Sequence, residues 1–296
     1  MPDPAVLIRR LAVDYGRNRV LDGLDMTVER NTVHGLLGRN GAGKTTTVRA
    51  ITGLLREASG SVSVLGRTPR RDPGVRRLLS ILPSDDGLLP GLSVLENLVC
   101  WAGFWGMTGR DAERAASAAI EAVGMEGGNT GRTGSLSTGN RRLAALARTF
   151  MVPGEIVILD EPTSSLDPVV SARIRGVIAG MSRDRTVILS THNLEEAQEL
   201  CSSVTIINHG RSVFEGPPDG GDAEGAGGYL VKSESGAVSW RGAPLERRDD
   251  GFFLLDSGLS AADTLAELVA SGIRVCEFRP VVHSLTDIFM DRAGSE

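Results

Sequence analysis

Residues Gly38-Arg39-Asn40-Gly41-Ala42-Gly43-Lys44-Thr45 fit the pattern G-x-x-x-x-G-K-[ST], and that pattern leaves a chain few ways to fold. It follows a short apolar run (Val33, Gly35, Leu36, Leu37) and precedes a helix expected from about Lys44 to Leu55. Glycines at these positions let backbone N–H groups turn inward around phosphate oxygens, and the helix behind them presents its positive end. The segment therefore predicts a strand, a phosphate-cradling loop and a helix. Gly38, Arg39, Asn40, Gly41, Ala42, Gly43, Lys44, Thr45 and Thr46 are the expected nucleotide contacts, with Lys44 on the β- and γ-phosphates and the Thr45 hydroxyl on Mg²⁺. Composition sharpens the point. Only Lys44 and Lys232 among the 32 basic residues are lysine, and a flat guanidinium replaces a compact ammonium poorly at a phosphate.

Further along, Ala5 to Glu29 reads as two alternating strands joined by a polar turn around Gly16 to Arg19. Ser61 to Leu65 reads as a strand, and Ser93 to Val123 as two helical stretches. Ile156 to Leu159, Val187 to Leu189 and Val204 to Ile207 are continuous apolar runs, as expected of strands buried on both faces of a parallel sheet, with a helix at Leu194 to Cys201. Such alternation implies an α/β sheet covered by helices. Pro217 to Gly228 (PPDGGDAEGAGG) has linker composition and would span roughly 20 Å as a flexible coil. Beyond it, short strands, a helix near Ala261 to Ser271 and a final helix at Leu285 to Met290 suggest a small appended domain.

Several classes are disfavoured. The most apolar stretch, Leu98 to Met107, is too short to span a membrane and contains two glycines. The opening MPDPAVLIRR does not read as a secretory signal. Three widely spaced cysteines suggest neither a disulfide framework nor a zinc site. A net charge of -5 argues against a general nucleic-acid binder.

The apolar run Ile156 to Leu159 ends in Asp160-Glu161. Ligands of parallel sheets sit at the carboxyl ends of the strands. One carboxylate for the Mg²⁺ shell (Asp160) and a neighbour to orient or deprotonate water (Glu161) is what phosphoanhydride hydrolysis requires. Taken alone, the pair reads equally as helix capping or surface charge.

Three further motifs narrow the reading: Ser135-Leu136-Ser137-Thr138-Gly139-Asn140 followed by Arg141 and Arg142, then Pro162 to Pro168 (PTSSLDP), then Ser190-Thr191-His192. With the phosphate loop and the acidic pair, they resemble the signature, D-loop and switch histidine of the ATP-binding subunits of ABC transporters, in matching order from about Val6 to Gly216. The resemblance implies a P-loop NTPase core sheet with an N-terminal antiparallel β subdomain, an inserted helical subdomain at about 84–150, and a small C-terminal α+β appendage. The domains would be an ATP-binding domain over 1–216, a linker over 217–228 and an accessory domain over 229–296. It further implies an ATPase in which Ser137 and the Gly139 backbone bind the γ-phosphate of ATP held by a second subunit, alongside Asp167. His192 would contact the γ-phosphate or the attacking water, and Tyr15 would stack on adenine, although a tyrosine in a strand is also ordinary packing. The cofactors would be ATP and Mg²⁺. The partners would be a separately encoded integral membrane permease and a second ATPase subunit, identical or paralogous, with no nucleic acid. The expected location is cytoplasmic, on the inner face of the cell membrane.

Two departures and one addition matter. Ser84 stands where the family's loop carries a metal-contacting glutamine, and a hydroxyl could reach the metal only by closer approach or through water; Asp85 or Asp86 could substitute, or serve as turn residues. Thr138 and Asn140 replace a glycine and a glutamine of the signature. The ending Val281 to Met290 (VVHSLTDIFM) resembles that of drug- and sodium-exporter ATPases of the ABC-2 type, which implies export. Trp101, Phe104 and Trp105 at helical spacing are read as core, with a permease groove as the other possibility. His34, His209 and His283 match no motif and are read as structural. Competing functions are a soluble ABC-type ATPase acting on ribosomes or DNA, and a nucleotide-gated regulatory subunit with weak hydrolysis.

Overall fold

The computed structural model of the chain describes residues 3–125, 131–181, 184–219, 228–248, 250–280 and 285–293. Most of the linker-like stretch and the Val281-Val282-His283-Ser284 part of the tail lie outside them. The chain divides into two compact units, Met1–Pro217 with Arg292–Glu296, and Pro218–Asp291.

In the first unit, β1 (Val6–Tyr15) and β2 (Asn18–Val28) form a hairpin, followed by β3 (Val33–Leu37), α1 (Lys44–Ile51) and β4 (Ser59–Val64). Next come β5 (Leu79–Leu82), α2 (Val94–Phe104), α3 (Gly109–Ala122) and α4 (Thr138–Met151). Then β6 (Ile156–Asp160), α5 (Pro168–Met181), β7 (Thr186–Thr191), α6 (Leu194–Leu200), β8 (Ser203–Asn208) and β9 (Arg211–Gly216) complete it. The main sheet runs β5-β6-β7-β3-β8-β9. Its strands are parallel except for β9, which pairs antiparallel with β8. Every residue of β3, β6 and β7 is buried, which is why these strands read as unbroken apolar runs rather than as alternation.

The antiparallel sheet β2-β1-β4 lies against the main sheet, sharing one core in which Ile8, Leu21, Leu24 and Met26 pack with Leu36, Ile51, Ile158 and Ile188. Helices α2, α3 and α4 make a separate helical block. Ser93 and Glu96 close a reciprocal capping box at the start of α2, satisfying two otherwise orphaned N–H groups. Asn97, fully buried, accepts from the Leu89 N–H at 2.7 Å and donates to the Leu89 and Ser93 carbonyls, fixing the loop into that helix.

Helix α1 stops at Ile51 rather than Leu55, with Gly53 at φ 68 turning the chain out. β5, α5 and β9 appear in none of the periodicity readings. β5 has only four residues, α5 carries Gly176 and Gly180, and β9 is largely half-buried, so none shows a clean period. The expectation that Trp101, Phe104 and Trp105 form core is not met. α2 buries Val94, Asn97, Leu98 and Ala102, which leaves Phe104 78% exposed and the two tryptophans half-buried.

The second unit holds β10 (Tyr229–Ser233), β11 (Ser239–Trp240), β12 (Ala243–Pro244), β13 (Phe253–Leu255), α7 (Ala261–Ala270), β14 (Val275–Pro280) and all but the last two residues of α8 (Leu285–Ala293). Its sheet has the order β13-β10-β14, over a small core of Tyr229, Val231, Val238, Phe253, Leu255 and Leu268. His34 is fully buried between β3 and β8, with Nδ1 2.8 Å from Ser203 Oγ and Nε2 2.9 Å from Thr205 Oγ1; two hydroxyl partners satisfy a core imidazole, in agreement with its structural reading.

Candidate active site

The phosphate loop joins the end of β3 to the start of α1. Gly43 is the N-cap at φ 117, a backbone conformation that strains any residue with a side chain, and a Cβ there would lie 2.6 Å from Leu21 Cδ2, so the leucine side chain would have to move. No side chain caps the helix and its first turn carries no acid, so the amides and positive dipole end remain available to an anion. The loop is braced from outside by a residue that carried no motif. Gly210 donates its N–H to the Ala42 carbonyl (3.1 Å) and accepts from the Asp22 N–H (2.9 Å). With His209 at φ 47 and Gly210 at φ 75, the β8–β9 turn is of the two-residue type that matches strand twist.

Lys44 is 7% exposed; its ammonium donates to the Gly38 carbonyl at 2.7 Å and stands 3.5 Å from Glu161 Oε1. Glu161 follows β6 in the left-handed region at φ 50, with its N–H on the Ser190 carbonyl at 2.8 Å. Its other oxygen, Oε2, is 2.7 Å from His192 Nδ1. One carboxylate thus bridges the phosphate-loop lysine and the histidine after β7. A cavity of about 390 Å³ gathers Arg39, Asn40, Gly41, Gly43, Lys44, Thr45, Thr46, Ser84, Asp160 and Glu161 on its walls. Glu161 also lines a second cavity of about 410 Å³, with Thr163, Ser165, Thr191 and His192.

Among the described residues, no cluster of three or more His, Cys, Asp or Glu could hold a metal alone. The donors present are hard oxygens, the Thr45 hydroxyl and the Asp160 carboxylate, on the cavity that would take phosphates. That set fits Mg²⁺, which keeps waters and shares one or two protein ligands with substrate phosphates.

Besides Gly38 and Ala42 of the loop itself and His192, which lines the second cavity, four expected contacts lie outside the lining of the phosphate cavity in their own chain. Tyr15 is 42% exposed and its hydroxyl accepts from Arg49 at 3.4 Å. Ser137 is the N-cap of α4 and accepts from the Asn140 N–H at 3.3 Å. Gly139 is buried one residue into that helix, where a Cβ would meet Val170 at 3.1 Å. Asp167 Oδ1 accepts the Val169 and Val170 N–H groups, both at 3.0 Å, and so caps α5. In the loop after β5, Ser84 reaches the cavity wall, whereas Asp86 is engaged elsewhere. Its carboxylate meets Arg141 Nε at 2.8 Å and accepts the Leu88 N–H at 3.1 Å.

Sequence reasoning gave no role to two charged residues that the structure buries, Glu196 and Arg142 of the signature stretch. Glu196, 1% exposed, accepts from Thr163 Oγ1 (2.7 Å) and Thr191 Oγ1 (2.8 Å), joining the segments that carry Glu161 and His192. Burial pushes its carboxyl above the usual range, partly opposed by those hydroxyl bonds and by Arg175. In the run LEEAQEL it reads as one surface acid among three, and no local signal separates it. Arg142, 7% exposed, donates to five backbone carbonyls at the ends of β5 and β6. Its burial on α4 shows only once the helix is docked.

The profile of the family described as "ABC transporter" matches residues 21–164. The chain is 36% identical over 227 residues to the Nod factor export ATP-binding protein I of Cupriavidus pinatubonensis, covering 74% of this chain and 69% of that protein. It is 34% identical over 223 residues to the protein of the same name from Burkholderia lata, covering 74% and 72%. Among solved structures, cbiO1 of Clostridium perfringens, described as part of the ABC transporter complex cbiONQ, superposes with a TM-score of 0.68 at 25% identity, over 74% of this chain and 90% of that one. A dimeric ATP-binding cassette in a post-hydrolysis state with ADP and Pi shares the fold, with a TM-score of 0.65 at 20% identity over 72% and 98% of the two chains.

Proposed function

The chain belongs to the ABC transporter family as an ATP-hydrolysing subunit, and on that premise we propose that two copies, or this chain and a paralogue, close on two Mg-ATP to drive a separately encoded membrane permease in export. The observation that carries the reading is the convergence of Lys44, Thr45, Asp160 and Glu161 on one cavity at the carboxyl ends of the parallel strands, with His192 on the Glu161 carboxylate.

The loop amides and the start of α1 bind the phosphates, with Lys44 placing a point charge on the β- and γ-oxygens. Thr45 and Asp160 would hold Mg²⁺, with Ser84 on the wall of the same cavity; the ion would supply charge neutralisation on the phosphates. Glu161 orients the attacking water and accepts its proton, and His192 holds that carboxylate in place through its 2.7 Å contact. Since Ser137 and Gly139 lie at the start of α4, away from the cavity of their own chain, they are assigned to the γ-phosphate bound by the other copy, with Asp167 beside them. Tyr15, on the open end of β1, is assigned to adenine.

For the permease, an apolar groove of about 380 Å³ in the first unit supports a docking place; Ile81, Pro83, Trp101, Trp105 and Arg148 line it, next to the loop that carries Ser84. The relatives' names speak of export, which supports that direction, and a subunit driving such a permease is assigned to the inner face of the cell membrane. No helix among the described residues is long and apolar enough to cross a membrane. The division into an ATP-binding domain (1–216), a linker (217–228) and an accessory domain (229–296) is kept as part of this proposal.

The test is Mg²⁺-dependent ATP hydrolysis across a protein concentration series. Turnover should rise more than linearly with protein, vanish in Lys44→Ala with loss of ATP binding, and fall to a small residual rate in Glu161→Gln with binding retained. Hydrolysis intact in both variants would overturn the assignment.

A further inference from the structure

The carboxylate assigned as base sits on a strained turn. Glu161 has φ 50, a left-handed conformation that strains an L-residue, so something must hold it. The carbonyls of that turn converge on one group. Arg142 donates from Nη2 to the Asp160 carbonyl (2.6 Å) and the Glu161 carbonyl (2.9 Å), and from Nε to the Pro162 carbonyl (3.1 Å). From Nη1 the same guanidinium donates to the Pro83 (2.7 Å) and Ser84 (3.2 Å) carbonyls, in the loop where serine replaces the family's glutamine. Two more arginines of α4 grip that loop: Arg141 holds the Asp86 carboxylate at 2.8 Å, and Arg148 donates to the Gly87 carbonyl at 2.8 Å while lying 4.6 Å over the Trp101 ring.

We propose that Arg142 is a positioning residue for hydrolysis. Its planar fork holds the left-handed turn that aims the Glu161 carboxylate, and couples that turn both to the Ser84 loop and to the start of α4.

The chemistry of the group fits the task. A guanidinium presents five N–H donors in a rigid plane and here uses each of its three nitrogens, spanning two loops that a single ammonium could not reach together. Burial opposes its charge, and the nearest compensation comes from carbonyl dipoles and from the acidic side chains Asp160, Asp86 and Asp85. A purely structural brace could be apolar, at lower desolvation cost. Arg142 lies one and a half turns from Ser137, so a shift of α4 when that end engages a nucleotide would move the Glu161 turn with it. A serine side chain at position 84 is too short to link the same two loops, and the arginine supplies the link through backbone instead.

The inference rests on the reading of Glu161 as the base, and the test separates the two. Arg142→Lys keeps a charge but loses the fork. Its kcat should fall roughly 10- to 100-fold, the size expected for a misplaced catalytic group, with the affinity for a fluorescent ATP analogue within about threefold of wild type. The same substitution made in Glu161→Gln should lower the residual turnover no further, because the group it aims is gone; loss of folded protein would lower both backgrounds alike. Unchanged kcat in Arg142→Lys, equal losses of kcat and affinity, or additive losses in the double variant would overturn the inference while leaving Glu161 as base. Full activity in Glu161→Gln would instead overturn the reading it rests on. If Arg142→Lys melts without a cooperative transition, the same measurements are made on Arg142→Gln, which keeps a planar donor end. Failure of both to fold would assign the guanidinium to the fold and overturn the inference as well.

Discussion

At the scale of single residues, charge placement separates the parts that act from the parts that hold. Lys44 and Glu161 are kept 3.5 Å apart, where the lysine also has a backbone carbonyl and the glutamate a histidine. His34 shows the opposite use of an imidazole. Complete burial lowers its pKa from 6.5 to about 4, so the folded chain resists protonation while the unfolded chain accepts it. Its contribution to stability is therefore present in full above pH 6.5 and is lost as pH falls through about 4, amounting to about 3 kcal/mol across that window. The thermal midpoint should drop between those pH values in the wild type, and the drop should be shallower in His34→Gln. Equal slopes would show that other groups set the acid limit.

At the scale of elements, the phosphate loop depends on a hairpin turn far away in sequence. Gly210 at φ 75 has no room for a Cβ, which would stand 2.3 Å from the Val20 carbonyl. Gly16 at φ 62 has nothing within 4 Å of the same position. Gly210→Ala should cost about 2 kcal/mol of stability and weaken ATP binding, because the Ala42 carbonyl loses its brace. Gly16→Ala should carry only the backbone strain, about 1 kcal/mol, and leave binding alone. Denaturant unfolding and nucleotide titration of the two variants would check this. The other joins between elements are equally specific: Glu196 ties the residue after the β6 turn to the end of β7, and the arginines of α4 tie the helical block to the loop after β5.

At the scale of the whole molecule, the reading requires two chains to make one site. A chain carrying Lys44→Ala is inactive through its own phosphate loop, and one carrying Ser137→Arg through the signature it lends its neighbour. In a mixed pair, one composite site has both defects and the other has none. Mixing the two inactive proteins should therefore restore hydrolysis, to about a quarter of the wild-type rate if pairing is random and the sites act independently. No gain on mixing would point to a paralogous partner, or to a site complete within one chain.

The family and its chemistry were legible in the sequence because they rest on local constraints. A glycine-rich loop before a lysine, an apolar strand ending in two acids, and a histidine after another such strand each need only a few consecutive residues, and their order along the chain carries the rest. Continuous apolar runs likewise announced strands buried on both faces. What needed the tertiary structure was every pairing between residues distant in sequence. An aromatic stripe at helical spacing looks like core, and the packing of α2 turned it outward beside a groove. Arg142, Glu196 and Gly210 look like a surface cation, a surface anion and an ordinary turn, because burial and backbone partners belong to the fold and leave no local pattern. Asp86, a candidate metal ligand on sequence grounds, is drawn away by an arginine 55 positions further along the chain. Local sequence determined which groups could do chemistry; long-range packing decided which of them face the phosphate cavity and which serve to hold the others there.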